Sequence, residues 1–327
     1  MTRVPGMYGE IKLIAGSACP ELATEISDYL TRTTGQYVPL LDASIEKFPN
    51  DNIFVQLNES VRGQDVYIIQ TTGAPVNDNL MELFITLDAV RRDSAGRITA
   101  VIPYMAYSRT DKKDLPRTPI TARLIADMIQ IAGADRYMTI DLHAGQIQGF
   151  FSIPGDSLTA RYLIVDYIRE TLPTDNMVVT TVDLGFAKGG RNWARLLNVP
   201  LTFIEKRRVG TDTRAHAIIG NVRDKDVLLV DDEMDTGGSM LQAVELLDES
   251  GARDITVAFT HAVFSPPVHE RLRQMSERVR EFVFTNTIPV PPEHRLPNMT
   301  ILSVADLLGE VIRRAHEGVS VGALFDE

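Results

Sequence analysis

Cysteine is almost absent from this chain. Cys19 stands alone among 327 residues, so no intramolecular disulfide can form. The fold must rest on buried apolar surface, and the reducing cytoplasm is the expected compartment. Positive charge is also in short supply. Lys and Arg number 33 against 44 Asp and Glu, a net charge of −11. Proteins that bind nucleic acid by neutralising its phosphates are usually basic, so a general nucleic-acid binder is not expected. Long apolar runs are missing too. No run approaches the roughly 18 residues that a membrane helix needs. The first ten residues hold no apolar stretch of the kind that marks a secretory signal, so neither a membrane span nor a signal peptide is expected.

What is present is ordinary and ample. Hydrophobic residues make up 44% and charged residues 24%, close to a soluble globular protein, and the length suits two domains rather than one. Short apolar runs alternate with helical patterns. Strands are expected at 11–15, 53–57, 66–70, 98–102, 137–140, 177–180, 201–204, 227–230, 255–259 and 281–285. Helices are expected at 20–31, 78–92, 119–131, 158–170, 187–197, 240–250, 267–275 and 304–317. This order reads as repeated βα units, an α/β fold with mostly parallel sheets flanked by helices. Pro154, Gly155 and Asp156 interrupt the pattern, which suggests domains at 1–153 and 154–300, with a last helical segment at 301–327. In parallel sheets, ligands gather at the carboxyl ends of the strands.

The strongest local signal is Val230-Asp231-Asp232-Glu233-Met234-Asp235-Thr236-Gly237-Gly238-Ser239. A strand is expected to run into it and a helix out of it. Gly237 and Gly238 permit close backbone approach, and their amides, with the free N–H groups of the helix start, suit a phosphate dianion. Ser239 can cap the helix or bond a phosphate oxygen. Asp231 and Asp232 can accept hydrogen bonds from both hydroxyls of a cis-diol, so the segment reads as a clamp for a phosphorylated pentose. The bland alternative is a tight βα turn with solvated acids. No G-x-x-x-x-G-K-[ST] loop occurs.

This segment resembles the signature shared by type I phosphoribosyltransferases and ribose-phosphate diphosphokinases, and on the loop alone the two are tied. Further stretches resemble the diphosphokinases. They are Gln56-Leu57-Asn58-Glu59-Ser60-Val61-Arg62-Gly63, then Ala74-Pro75-Val76-Asn77-Asp78-Asn79-Leu80, residues 98–104 with Arg109 and Asp111, and Asp141-Leu142-His143-Ala144 with residues 146–151. The end of the chain matches in Asn286-Thr287-Ile288-Pro289 and Val319-Ser320-Val321.

The resemblance implies two tandem type I phosphoribosyltransferase-like domains, with the final helix packing back on the first. It implies ATP and ribose 5-phosphate as substrates, Mg²⁺ as cofactor, and a homo-oligomer, a hexamer built from dimers. It also implies residue roles. Lys206 and Arg208, in Glu205-Lys206-Arg207-Arg208, would lie on a mobile catalytic loop that closes on the reacting phosphates, with Arg208 also near the sugar phosphate. By composition alone that run is a solvated charge cluster. Phe48, Asn50, Asn52, Arg109, Thr110, Asp111 and His143 would bind ATP. Asp231, Asp232, Asp235, Thr236, Gly237, Gly238 and Ser239 would bind ribose 5-phosphate. His143 and Asp183 would serve the metal, although a lone His after a strand and an Asp at a strand end are commonly structural. Thr71-Thr72-Gly73-Ala74-Pro75 resembles a second anion-binding turn.

The sequence departs from the family in places. The adenine-reading Phe-Ser-Asp-Gly-Glu is here Phe48-Pro49-Asn50-Asp51-Asn52, so two acceptor carboxylates are replaced by amides that can also donate. Base preference between adenine and guanine is left open. Thr110 replaces Gln, Thr181-Val182 replace Ser-Pro before Asp183, and Gly145 replaces Glu. A non-catalytic relative that regulates synthetase assembly, or a transferase that consumes the activated sugar, are the competing readings.

Overall fold

The computed structural model describes residues 8–209 and 213–324, with backbone alone at residues 184, 206–209 and 213–216. It divides into two units, Met1–Thr159 with Ser303–Glu327, and Ala160–Leu302.

The first unit begins with strand β1 (Ile11–Ala15) and helix α1 (Pro20–Thr34). Pro20 sits in the first turn of α1, where its missing N–H costs nothing. Gly35 ends the helix in the left-handed region at φ 66. A hairpin of β2 (Ala43–Lys47) and β3 (Ile53–Leu57) follows, then β4 (Asp65–Ile69), α2 (Val76–Arg92), β5 (Arg97–Ile102), α3 (Thr121–Ala132), β6 (Arg136–Ile140) and β7 (Gly155–Leu158). The five-stranded sheet runs β1-β4-β5-β6-β7, with every pair parallel. All five residues of β4 are buried, the signature of a strand covered on both faces.

The second unit contains α4 (Arg161–Thr171), β8 (Met177–Thr181), α5 (Ala187–Leu197), β9 (Leu201–Val209), β10 (Thr213–Ile219), β11 (Asp226–Val230), β12 (Glu233–Met234), α6 (Gly238–Glu249), β13 (Asp254–Ala258), β14 (His261–Ala262), α7 (Val268–Ser276), β15 (Glu281–Thr285) and β16 (Met299–Leu302). Its seven-stranded sheet runs β10-β9-β8-β11-β13-β15-β16 and is parallel except for the β9–β10 pair. The chain builds outward from β8 to β10, then crosses back to place β11 on the other side of β8. That reversal is a topological switch point, where α/β sheets form ligand crevices. The core on one face is built around Leu229, Val257, Phe259, Phe282 and Phe284, all fully buried.

The last helix, α8 (Ala305–Glu317), belongs to the first unit. Leu308, Val311 and Ile312 are fully buried along one face. Each such side chain contributes about 1.5–3 kcal/mol on burial. Tyr29 of α1 donates to Glu310 at 3.1 Å, and Arg97 of β5 donates to the Ala315 carbonyl at 3.1 Å, so the middle and the C-terminal end of α8 are tied by polar contacts.

Several elements differ from the sequence expectation. The strand expected at 201–204 runs on through Val209 and pairs antiparallel with β10. Lys206 and Arg208 therefore stand in a hairpin strand and not in an irregular loop. The Glu205-Lys206-Arg207-Arg208 run lacks the apolar alternation that would have marked a strand. Gly155 and Asp156, read as part of an interruption, and Leu158, expected to open a helix, lie instead in β7 at the sheet edge, where a short strand with glycine and polar residues is tolerated.

Candidate active site

In the second unit, β11 delivers residues 231–239 at its carboxyl end. The backbone of this segment is fastened to β14 and its neighbours. Asp231 N–H donates to the Ala258 carbonyl at 3.2 Å, while Thr260 and His261 both donate N–H groups to the Asp232 carbonyl, at 3.0 and 3.1 Å. β12 and β14 then pair as a two-residue ladder that buries Glu233 and His261. The His261 ring is held by Thr287 at 2.9 Å, and Thr287 in turn sits against Thr285 at 3.0 Å. Sequence reading attached no role to this backing layer, because its residues are ordinary threonines and a histidine inside apolar strands.

The two carboxylates organise their own turn. Asp232 N–H donates to Asp231 Oδ1 and Glu233 N–H to Asp232 Oδ1, each at 3.0 Å. Both residues are half-buried in this turn. Protein surrounds Asp231 closely, and burial pushes its carboxyl well above the usual carboxylate range. The charge of Asp232 adds to this, and that of Asp183 adds less. Asp183, which follows β8, is thus electrostatically in the same cluster. Its Oδ1 also accepts the Phe186 N–H at 3.2 Å, the turn role open to any strand-end aspartate.

Gly237 adopts φ 76 as the N-cap of α6, and the helix begins at Gly238. Ser239 is accordingly inside the first turn and is not the cap that the sequence suggested. No side chain caps this helix, so its leading N–H groups are presented from a bare glycine turn. Thr236 and Ser239 are exposed. Arg271 of α7, which sequence reading missed, donates from Nη1 to the Thr236 carbonyl at 2.9 Å. Nothing in the Pro-Pro-Val-His-Glu-Arg stretch signals this contact, which arises only when α7 folds beside α6. Lys206 and Arg208 pair with His216 and Arg214 across the β9–β10 hairpin. By the two-residue period of a strand, positions 206 and 208 share one face.

In the first unit, a second set of expected residues follows the carboxyl ends of β4, β5 and β6. Thr71 and Thr72 are buried after β4. The Thr72 hydroxyl donates to the Tyr104 carbonyl at 2.8 Å and accepts from the Ala106 N–H at 2.7 Å, locking this turn to the segment after β5. Asp111 is buried and accepts from Gln146, three residues beyond His143, so the segments carrying Asp111 and His143 are joined. Arg109 and His143 are exposed. Asp114 bridges Lys112 at 3.7 Å.

Phe48, Asn50 and Asn52 form the tip of the β2–β3 hairpin. Phe48 N–H donates to the Asn52 carbonyl at 2.8 Å, and Asn50 Oδ1 accepts the Asn52 N–H at 3.2 Å. Phe48 lies exposed with its ring 5.8 Å from that of Phe54. Lys47 ties the hairpin to the first turn of α2 through Asp78 at 2.9 Å, and Tyr107 reaches Asn77 in the same turn at 2.7 Å. The start of α2 thus joins the hairpin and the β5 segment.

Among the described residues, no three His, Cys, Asp or Glu side chains are grouped to hold a metal by themselves. Asp183 follows β8 and Asp231 and Asp232 follow β11, adjacent parallel strands, so carboxylates stand at neighbouring strand ends, the donor type that suits a cation bringing ligands of its own. Magnesium commonly takes one or two carboxylates and completes its shell with water and substrate phosphates.

Comparisons with known proteins cover almost the whole chain. Residues 11–133 match the N-terminal domain of ribose phosphate pyrophosphokinase, and residues 197–326 match a phosphoribosyl synthetase-associated domain. The ribose-phosphate pyrophosphokinase of Campylobacter jejuni is 46% identical over 96% of this chain and 98% of its own length. That of Mycobacterium leprae is 45% identical over 97% and 95%. The crystal structure of phosphoribosylpyrophosphate synthetase from Mycobacterium smegmatis superposes with a TM-score of 0.88 at 42% identity, over 94% of this chain and 99% of that one. With the strand-end carboxylates, the glycine turn and the two α/β units already in place, this chain belongs to the ribose-phosphate pyrophosphokinase family.

Proposed function

We propose that this enzyme moves an intact diphosphate from Mg-ATP onto O1 of ribose 5-phosphate, giving phosphoribosyl pyrophosphate and AMP, with the residue roles that follow. The observation that carries the reading is the junction of Asp231 and Asp232 with the uncapped glycine turn at the start of α6. The carboxylates take the ribose diol. The backbone amides of Asp235, Gly237 and Gly238 and the hydroxyls of Thr236 and Ser239 take the 5-phosphate.

The attacking ribose hydroxyl approaches the β-phosphorus in line, and AMP departs from the opposite side. Such a transfer depends on position and charge neutralisation and not on a covalent enzyme intermediate. Lys206 and Arg208, on one face of the hairpin, neutralise charge that builds on bridging and terminal oxygens. Arg109, Thr110, Asp111 and His143 hold the triphosphate, with Arg109 suited to bidentate phosphate contact. His143 in the first unit and Asp183 in the second are the residues assigned to magnesium, which would supply charge neutralisation at the phosphates.

Phe48, already exposed beside Phe54, offers a stacking surface for the purine. Asn50 uses its carbonyl oxygen within the turn, which leaves Asn52 as the better-placed reader of the base edge. A homo-oligomer, a hexamer built from dimers, and a cytoplasmic location belong to the same proposal. The structure adds only that no described helix is long and apolar enough to cross a membrane.

The direct test incubates purified protein with ribose 5-phosphate and ATP, GTP or CTP in turn, and measures the nucleoside monophosphate. Formation of the corresponding nucleoside monophosphate, dependent on ribose 5-phosphate, supports the reading. Its absence with all three nucleotides overturns it.

A further inference from the structure

Gly237 and Gly238 are adjacent, but the backbone demands glycine only at the first. Gly237 has φ 76, a left-handed conformation that costs other residues free energy. Gly238 is the first residue of α6 and is not among the glycines with positive φ. Any L residue can adopt its conformation, so the backbone itself does not call for glycine there.

Space supplies the reason. A Cβ placed on Gly238 would lie 3.1 Å from Arg271 Nη1, tighter than carbon usually packs, and 3.5 Å from its Cζ, so a side chain there requires the guanidinium tip to give way. The same Nη1 donates to the Thr236 carbonyl at 2.9 Å. One nitrogen therefore fills the place of the missing side chain and fixes the preceding peptide. Because a trans peptide is planar, its C=O and N–H point in opposite directions. Drawing the Thr236 carbonyl toward α7 turns the Gly237 N–H away from α7. Val268, one turn earlier on α7, stands 3.3 Å from a Cβ placed on Gly237 and packs the same turn from that side.

We propose that Arg271 is a positioning residue for the phosphate turn, aiming the Gly237 amide at the 5-phosphate, and that Gly238 is glycine because Arg271 occupies its side-chain space. This rests on the assignment of residues 231–239 to ribose 5-phosphate. Arg271 acts through the Thr236 carbonyl.

The test is a double-mutant cycle on the full-length enzyme, with KM for each substrate, kcat and thermal midpoint measured for every variant. Arg271→Ala is expected to raise KM for ribose 5-phosphate on the order of 10-fold, the scale for losing a hydrogen bond from a charged donor. KM for ATP and the thermal midpoint should stay near wild type. Gly238→Ala alone should produce a similar rise by pushing the guanidinium off Thr236. In the Arg271→Ala background it should add less than about twofold, since the two substitutions remove one shared feature. Arg271→Lys should restore part of the loss. If Arg271→Ala fails to fold, Arg271→Met keeps the packed stem, removes the donor and carries the same expectation.

A wild-type enzyme that makes no AMP from ATP and ribose 5-phosphate would defeat the functional reading. An active wild type whose Arg271 variants keep a normal KM for ribose 5-phosphate would overturn the positioning role alone. So would independent, multiplying effects of the two substitutions, or a loss shared equally by both substrates.

Discussion

Arg97 meets Asp65 through both ends of its fork, Nε to Oδ1 at 2.7 Å and Nη2 to Oδ2 at 2.6 Å. The Asp65 side chain is wholly buried and that of Arg97 is 12% exposed. Tyr67 donates to the same carboxylate at 3.0 Å, and His316 of α8 approaches it at 2.7 Å. Removing one partner of such a pair strands the other. Asp65→Asn or Arg97→Met is expected to cost about 3–5 kcal/mol, measured by urea unfolding. The double substitution Asp65→Leu with Arg97→Leu should recover part of that loss. Equal stability of wild type and single variants would show that the pair contributes nothing.

Acid should loosen α8 through Glu310. Its carboxyl is lowered from the ordinary 4.5 to about 2, first by the bond from Arg313, with help from Arg314 and Tyr29 against opposing burial. A depressed carboxyl stabilises the fold fully above its ordinary value, and the contribution disappears as pH falls from there toward the folded value. Stability followed by circular dichroism should therefore decline between pH 4.5 and about 2, and Glu310→Gln should flatten that decline.

Asp231 carries the opposite sign. Its folded carboxyl is raised by burial and by Asp232, so the folded chain holds the proton more tightly and stability falls as pH rises from the ordinary carboxylate range toward the folded value. Asp231→Asn should raise the thermal midpoint of the ligand-free enzyme at neutral pH, by about 0.5–2 kcal/mol in stability. It should weaken ribose 5-phosphate more than ATP in isothermal titration. Equal weakening of both ligands would contradict the diol role.

Lys206 is placed by its strand, two residues from Arg208 on the same face of the hairpin. Lys206→Ala is expected to lower turnover by a factor on the order of 10² or more, as when one preorganised charge donor is lost. Steady-state kinetics at saturating substrates checks this, and near-normal turnover would remove Lys206 from the mechanism.

Much of this was legible in the residues. The strands at 227–230 and 53–57 announce themselves as apolar runs, and Gly237 and Gly238 mark the turn from β11 into α6 that is proposed to take the phosphate. The strand character of Lys206 to Val209 was hidden, since a run of charges pairs with β10 through backbone groups that the side chains do not reveal. β12 and β14 are two residues long, too short for any periodicity. Arg271 escaped for a different reason. Its partner, Thr236, lies 35 residues away, and only the packing of α7 beside α6 brings them together.

β11 is the middle strand of its seven-stranded sheet, while β9 and β10 form one margin. Sugar recognition and charge neutralisation are therefore assigned to regions with different tolerance for change. On the proposed roles, substitutions at the margin should retune reaction velocity while the sheet still assembles. Substitutions beneath Asp231 disturb strands paired on both sides, so they endanger assembly and recognition together. Divergence among relatives should accumulate in catalytic tempo sooner than in the choice of sugar.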